Sequence, residues 1–380
     1  MTPTNIIRVA KAEPLFRQLE VRFREEITSG RLKPGARLPS NSALAAQTGT
    51  SIFTVQTALA PLVREGLLDR RTKIGTFVRN QTGRLACPAI YHAGELWKKA
   101  EFGFYRAVQQ CLETELEARG NNWRVFMDTR AESEQEDMPP DLAQAIRRRE
   151  VDALIAPLVS RADMAWMKPL SIPVAMLSSA PVPNRVRHNL EGMLCDTFAA
   201  LIRQGCRSVG MITSILSPAG HDTITGDDFE RFHAHFHTLA RRAGLATRQA
   251  WNRAPLHLPP CLEHFGYEAF LSLWDESAHP DGLVVYPDAS ARGVLTAALS
   301  LQVSMPGELK LALHVNDRLP FPCPVPAIRM VTDVCATAQA LIRLADSQVQ
   351  GKAPRPVVLD FAVREFDPPQ NRTGDAAETC

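Results

Sequence analysis

From Leu85 onward the chain alternates short apolar runs with stretches whose apolar residues recur every three or four positions, and this alternation restricts the fold more than any other feature. Val151-Asp152-Ala153-Leu154-Ile155-Ala156-Pro157-Leu158 is short, largely apolar and bounded by turns, the pattern of a strand covered on both faces. The spacing predicts further strands near Leu85–Tyr91, Trp123–Met127 and Ile172–Leu177, with helices near Phe102–Arg119 and Leu142–Arg149. After Arg187-His188-Asn189 the pattern starts again. Helices near Met193–Gln204, Phe229–Ala243, Leu262–Trp274, Ala289–Leu301 and Val334–Gln350 alternate with strands at Ser208–Thr213, Gly282–Tyr286 and Leu309–Val315. Strands separated by helices form parallel sheets with helices on both faces, and residues 87–367 are too many for one core. The expectation is a two-lobed, doubly wound α/β domain whose ligands bind in the cleft at the strands' carboxyl ends.

The residues before Leu85 have a different texture. Phe16, Leu19, Phe23 and Ile27 mark one face of a helix over Leu15–Thr28. Ser40 is placed to cap a short second helix that Gly49 ends, and Ser51 to cap a third, in which Val55, Leu59, Leu62 and Val63 form the buried stripe. Two short strands around the basic tip Arg70-Arg71-Thr72-Lys73 then make a hairpin wing. A helix presents its first residues to base edges in the major groove, while basic wing residues neutralise phosphates. Charge agrees with that division. The whole chain is nearly neutral at +2, but residues 1–80 hold 13 Lys and Arg against 6 Asp and Glu, leaving the remainder net negative. Residues 1–80 are therefore read as a winged helix-turn-helix, 81–86 as a linker, 87–367 as the two-lobed domain and 368–380 as a disordered tail.

In the head, the run from Ser29 to Ser40, Thr54-Val55, Ala58-Leu59, Leu62, Glu65-Gly66-Leu67-Leu68 and Gly75-Thr76-Phe77-Val78 resemble the GntR-type winged helix-turn-helix in order and spacing. The resemblance implies a DNA-binding surface of Arg37, Ser40, Ser42, Ser51, Thr54, Gln56, Arg70, Arg71, Lys73 and Gly75. Departures fall on that surface. Ser42, Ile52 and Gln56 stand where the family carries arginines, Lys73 stands where the wing turn has glycine, and Pro61 interrupts the third helix's bonding. Either the module reads an unusual operator through Ser51, Thr54 and Gln56, or its specific binding has decayed.

The body resembles the effector domain of LacI/GalR-type repressors, which is akin to periplasmic sugar-binding proteins. The resemblance rests on Val151–Ile155, Ile172-Pro173-Val174, Leu201–Gly210, Gly282–Val285 and Met305–Leu309. It implies a small-molecule effector, a sugar above all, and places Asp288, Asn189 and either Arg231 or Glu230 near the family's ligand positions, Asp288 either binding ligand or capping the next helix. Tyr91 and Trp97 lie at the natural cleft edge, and Asn316 ends a strand where it either binds ligand or turns the chain. The combined reading is a cytoplasmic, dimeric, ligand-responsive regulator, a repressor, acting on a pseudo-palindromic double-stranded DNA operator. The alternative is a solute sensor whose head has lost specific DNA binding.

Other constellations have plainer explanations. The eight cysteines are scattered without a C-x-x-C pair, so reduced thiols are expected, with neither zinc nor disulfides. His233 and His237 share a helix face, but two ligands are too few for a metal site. Arg147-Arg148-Arg149 suits a helix carboxyl end. No nucleophile motif, phosphate-binding loop or long apolar span is present, so neither enzyme, cofactor nor membrane is expected.

Overall fold

A computed structural model describes residues 14–28, 31–33, 35–64, 67–71, 74–78, 85–96, 102–130, 134–160, 162–214, 227–257 and 259–366, without the side chains of 28, 71 and 227–233. In the head, helices α1 (Leu15–Thr28), α2 (Asn41–Thr48) and α3 (Ile52–Arg64) precede a hairpin of β1 (Leu68–Arg71) and β2 (Gly75–Val78). Leu19 and Phe23 of α1 pack on Leu44, Val55, Leu59 and Leu62, the stripes their spacing predicts. Ser40 Oγ accepts the Ala43 N–H at 3.2 Å to start α2, and Gly49, at φ 64°, ends it. The turn-rich segment is not free loop: Gly35 and Leu38 donate to the Val78 and Thr76 carbonyls, and Val78 donates back to Ala36, each at 2.8 Å. This third line of pairing fixes Arg37 beside the wing.

Lobe 1 is a parallel sheet of β3 (Pro88–His92), β4 (Arg124–Met127), β5 (Ala153–Leu158), β6 (Val174–Leu177), β7 (Arg185–His188) and β13 (Val357–Leu359), ordered β13-β7-β6-β5-β3-β4. Ile90, Ile155 and Ala175 face α4 (Gly103–Ala118) and α11 (Val334–Val349). Their neighbours Ala89, Tyr91, Leu154 and Met176 face α5 (Pro140–Arg147) and α6 (Asp163–Met167), as the two-residue period of a strand requires. Lobe 2 repeats the plan with β8 (Val209–Thr213), β9 (Asn252–Arg253), β10 (Gly282–Tyr286), β11 (Lys310–Asn316), β12 (Ala327–Thr332) and β14 (Ala362–Phe366), ordered β14-β12-β11-β10-β8-β9. Its β14 is antiparallel to β12. Helices α7 (Leu190–Arg203) and α8 (Asp227–Arg242) cover one face, α9 (Leu262–Trp274) and α10 (Asp288–Ser300) the other.

Two expectations are corrected. The lobes are not consecutive halves of the chain, because α11 and β13 return to lobe 1 and β14 goes back to lobe 2. The chain thus crosses between lobes after β7, after β12 and between β13 and β14, near Asn189, Asp333 and Asp360. The second correction follows from the first. Cys111 on α4 and Cys335 on α11, 224 residues apart, are disulfide-bonded, because the return of α11 brings their Cα atoms to 5.3 Å. Linear spacing carries no trace of such a pair.

Candidate functional site

At the head, Ser51 Oγ accepts the Thr54 N–H at 3.0 Å and lies 2.8 Å from Thr54 Oγ1, which sets the start of α3. Ser42, Ser51 and Gln56 are exposed on the helix-turn-helix, and Arg37 and Arg70 on the turn and wing. Ser40 and Ser42 hydroxyls lie 2.9 Å apart. Gly75 sits at φ 138°, and a Cβ there would come within 2.9 Å of Arg37 Nε. That positive φ favours glycine, whereas the flexible Arg37 side chain can move away from an added Cβ. Arg71 pairs with Gly75 across the hairpin, while its side chain and Lys73 lie outside the described residues.

In the body, the two lobes treat the polar groups at their strand ends differently. In lobe 1 the fully buried Tyr91 packs edge-on against Trp166 and donates to Asp163 Oδ1 at 2.7 Å. Asp163 Oδ2 accepts the Ser160 N–H at 2.7 Å, and Asp128 takes both Nε and Nη2 of Arg130, at 2.9 and 2.6 Å. Burial raises the Asp163 carboxyl, whereas Arg130 holds Asp128 down against its own desolvation. Tyr91, expected at the cleft edge, is therefore a core residue with an occupied hydroxyl, because alternation along β3 turns it towards α5 and α6.

Lobe 2 satisfies some of its polar groups and leaves others loosely held. Burial holds His314 down to about 3; its Nδ1 accepts the Asp288 backbone N–H at 3.0 Å, which leaves the proton on Nε2 for Thr332 Oγ1 at 2.8 Å. Two residues along the same face of β11, Asn316 is 3% exposed, and neither its amide oxygen nor its amide nitrogen makes a well-formed hydrogen bond. The amide makes a loose hydrogen bond to the Asp288 carboxylate, which Arg292 approaches at 3.3 Å. Burial, the largest influence on Asp288, pushes its carboxyl upward. Trp97 and the side chains of Glu230 and Arg231 lie outside the described residues.

The lobes meet through aromatic rings. Phe104 of α4 lies 6.0 Å from His188, which lies 5.5 Å from Phe361. Phe361 in turn lies 5.8 Å from His314, which packs on Tyr286 at 4.6 Å. Asn189 works at the crossovers: it accepts the Gly192 N–H at 3.0 Å to cap α7 and donates to Asp360 at 2.7 Å. A cavity of about 340 Å³ opens there, lined by His188, Asp317, Asp333, Asp360, Phe361 and Arg364 among others.

Residues 15–78 match the bacterial regulatory proteins, gntR family, and residues 198–364 match the periplasmic binding protein-like domain. The chain joins a GntR-type head to a periplasmic-binding-protein-like body. The head is 44% identical over 69 residues to the mannosyl-D-glycerate transport/metabolism system repressor of Escherichia coli (strain K12), covering 18% of this chain and 29% of that one. The histidine utilization repressor of Pseudomonas putida is 28% identical over 188 residues, or 48% of this chain and 73% of that one. The LacI family transcription regulator from Clostridium acetobutylicum superposes with a TM-score of 0.57 at 16% identity, covering 73% of this chain and 98% of that one. That likeness shows the two-lobed fold. Neither matched family is one of enzymes.

The periplasmic-binding-protein-like body contains site residues that sequence reasoning missed: His188, His314, Phe361 and Asp360. One signal was available, since His314 interrupts the apolar run Leu311-Ala312-Leu313-His314-Val315. Among the described residues no group of three His, Cys, Asp or Glu is arranged to hold a metal, and His237 is bonded to Thr247 and Asn252. No helix among them is long and apolar enough to cross a membrane.

Proposed function

We propose that the chain is a ligand-responsive transcription regulator, a repressor, that binds a small polyhydroxylated molecule between its lobes and a DNA operator through its head. The observation that carries the ligand half is Asn316: a buried amide with no well-formed hydrogen bond, held only loosely to the Asp288 carboxylate at the carboxyl ends of adjacent parallel strands. A buried amide left unpaired costs about 1–3 kcal/mol, and a ligand hydroxyl recovers that cost on binding. An amide and a carboxylate together accept from and donate to the hydroxyls of a sugar. The effector acts in the cytoplasm on a homodimer, whose two heads meet a pseudo-palindromic operator. Coupling is reciprocal, so effector and operator weaken one another's binding by the same factor.

Thermal-shift screening of monosaccharides tests this reading. A ligand at a hundred times its dissociation constant stabilises the fold by about 2.7 kcal/mol. The shift should vanish in Asp288→Ala and Asn316→Ala, and no shift across a broad sugar panel would remove the sugar from the proposal. A second reading has its own observation: Ser42, Ile52 and Gln56 all lie exposed where arginines belong in the family, as in a solute sensor whose head no longer selects DNA. Selection of duplexes from a random library by the full chain decides between them, since the sensor enriches no sequence.

A further inference from the structure

The first turns of α3 present an apolar surface where a DNA-reading helix ordinarily offers charge. Phe53 is 77% exposed, more than any other large apolar side chain among the described residues, and Ile52 beside it is 49% exposed. The nearby hydroxyls are engaged within the head: Ser51 with Thr54, Ser40 with Ser42, and Thr57 Oγ1 with the Phe53 carbonyl at 2.9 Å. Gln56, exposed, stands three and four residues on, on the same side of the helix as Ile52 and Phe53. Elsewhere on the head Arg31, Lys33, Arg37 and Arg70 are exposed, and residues 1–80 carry the chain's excess of positive charge. An apolar patch on a positively charged head fits a polyanion that itself offers an apolar group.

In the major groove that group is the C5 methyl of thymine, the one apolar feature on a base edge, while an amide pairs with N6 and N7 of adenine. Both belong to the same base pair. We infer that α3 reads T·A pairs, Phe53 and Ile52 packing on thymine methyls and Gln56 bonding adenine, with Arg37 and Arg70 holding phosphates. Replacing the family's arginines has then exchanged guanine recognition for thymine and adenine recognition. This rests on the DNA-reading proposal above and gives its operator a composition.

Thymine and deoxyuridine differ by that methyl alone, which makes the test specific. The full chain selects duplexes from a random library, and the recovered duplex is resynthesised with deoxyuridine for each thymine under the helix. The recovered site should be rich in A·T, and each lost methyl should weaken binding about fourfold at fixed salt, the equivalent of about 0.8 kcal/mol per buried carbon. Phe53→Ala should weaken the thymine duplex and leave the deoxyuridine duplex unchanged. Arg70→Ala should weaken both equally and reduce the salt dependence. Equal affinity for the two duplexes, an equal loss on both in Phe53→Ala, or a G·C-rich site overturns the inference while leaving DNA reading intact. Failure to enrich any sequence overturns DNA reading itself.

Discussion

The two lobes share a strand order and a helix arrangement, yet they treat the carboxylates at their strand ends differently. Lobe 1 closes most of its strand-end groups on one another, with Tyr91 on Asp163 and Arg130 on Asp128, although His92 Nδ1 at the end of β3 has no partner among the described residues. Lobe 2 buries Asn316 without a well-formed hydrogen bond, its amide held loosely to Asp288. The contrast shows how one architecture serves two purposes. A polar network satisfied internally stabilises a lobe, whereas an unsatisfied one lowers stability and leaves hydrogen bonds for a ligand to make.

The strongest way to break this comparison is to open lobe 1. Asp163→Ala removes the acceptor of Tyr91 and of the Ser160 N–H in a fully buried site, and should cost about 3 kcal/mol of stability in denaturant unfolding. A loss under 1 kcal/mol would mean that the lobe 1 network carries no load.

Acid tests both lobes at once. His92 is held down to about 4 by burial, against Gln109 at 2.8 Å, and His314 to about 3. Unfolded histidine takes its proton near pH 6.5, so from there down to those values the unfolded state binds more protons than the folded one. Stability is therefore full above about pH 6.5 and falls as the pH drops, by up to about 1.4 kcal/mol per unit for each histidine. The slope measured in His314→Gln should be shallower than in the parent; an unchanged slope would place the proton uptake elsewhere.

The hinge belongs to neither lobe and should respond more weakly. Asn189→Ala removes the α7 cap and the link to Asp360, at a cost of about 1 kcal/mol. It should also change the domain's opening, seen as a change in radius of gyration by small-angle scattering on adding ligand. The smallest effect on stability sharpens the contrast most. Asn316→Leu replaces a loosely held buried amide with an apolar group of similar volume, and should be within about 1 kcal/mol of neutral or slightly stabilising. A loss of several kcal/mol in the free protein would show that the amide is structurally satisfied after all.

Much of the fold was legible in the sequence because it depends on local chemistry. The stripes Leu19, Phe23 and Val55, Leu59, Leu62, the caps Ser40 and Ser51, and the runs at Gly282–Tyr286 and Val151–Leu158 each follow from spacing within one element. Strands β7, β9, β12, β13 and β14 were not anticipated: Arg185-Val186-Arg187-His188 lies inside its sheet and Ala362-Val363-Arg364-Glu365-Phe366 at a sheet edge, but both mix charges into the run and so lack the buried-strand pattern, and β9 and β13 are too short to show one. The site was legible only in part. Asp288 and Asn316 sit at strand ends and could be named from the strands, but which way Tyr91 faces depends on the register of β3, and a shift of one residue reverses it.

By itself the sequence determined a basic winged helix-turn-helix, its missing arginines and an α/β body of two lobes, since periodicity, turn residues and charge act over a few neighbouring positions. Only the tertiary structure decided that α11 returns to lobe 1 to meet α4, that Cys111 finds Cys335, that His188, Phe361 and His314 meet between the lobes, and that Asn316 is buried beside Asp288 without a well-formed hydrogen bond. Those facts depend on which distant segments share a space, and pairings across hundreds of residues leave no periodic mark in the chain that forms them.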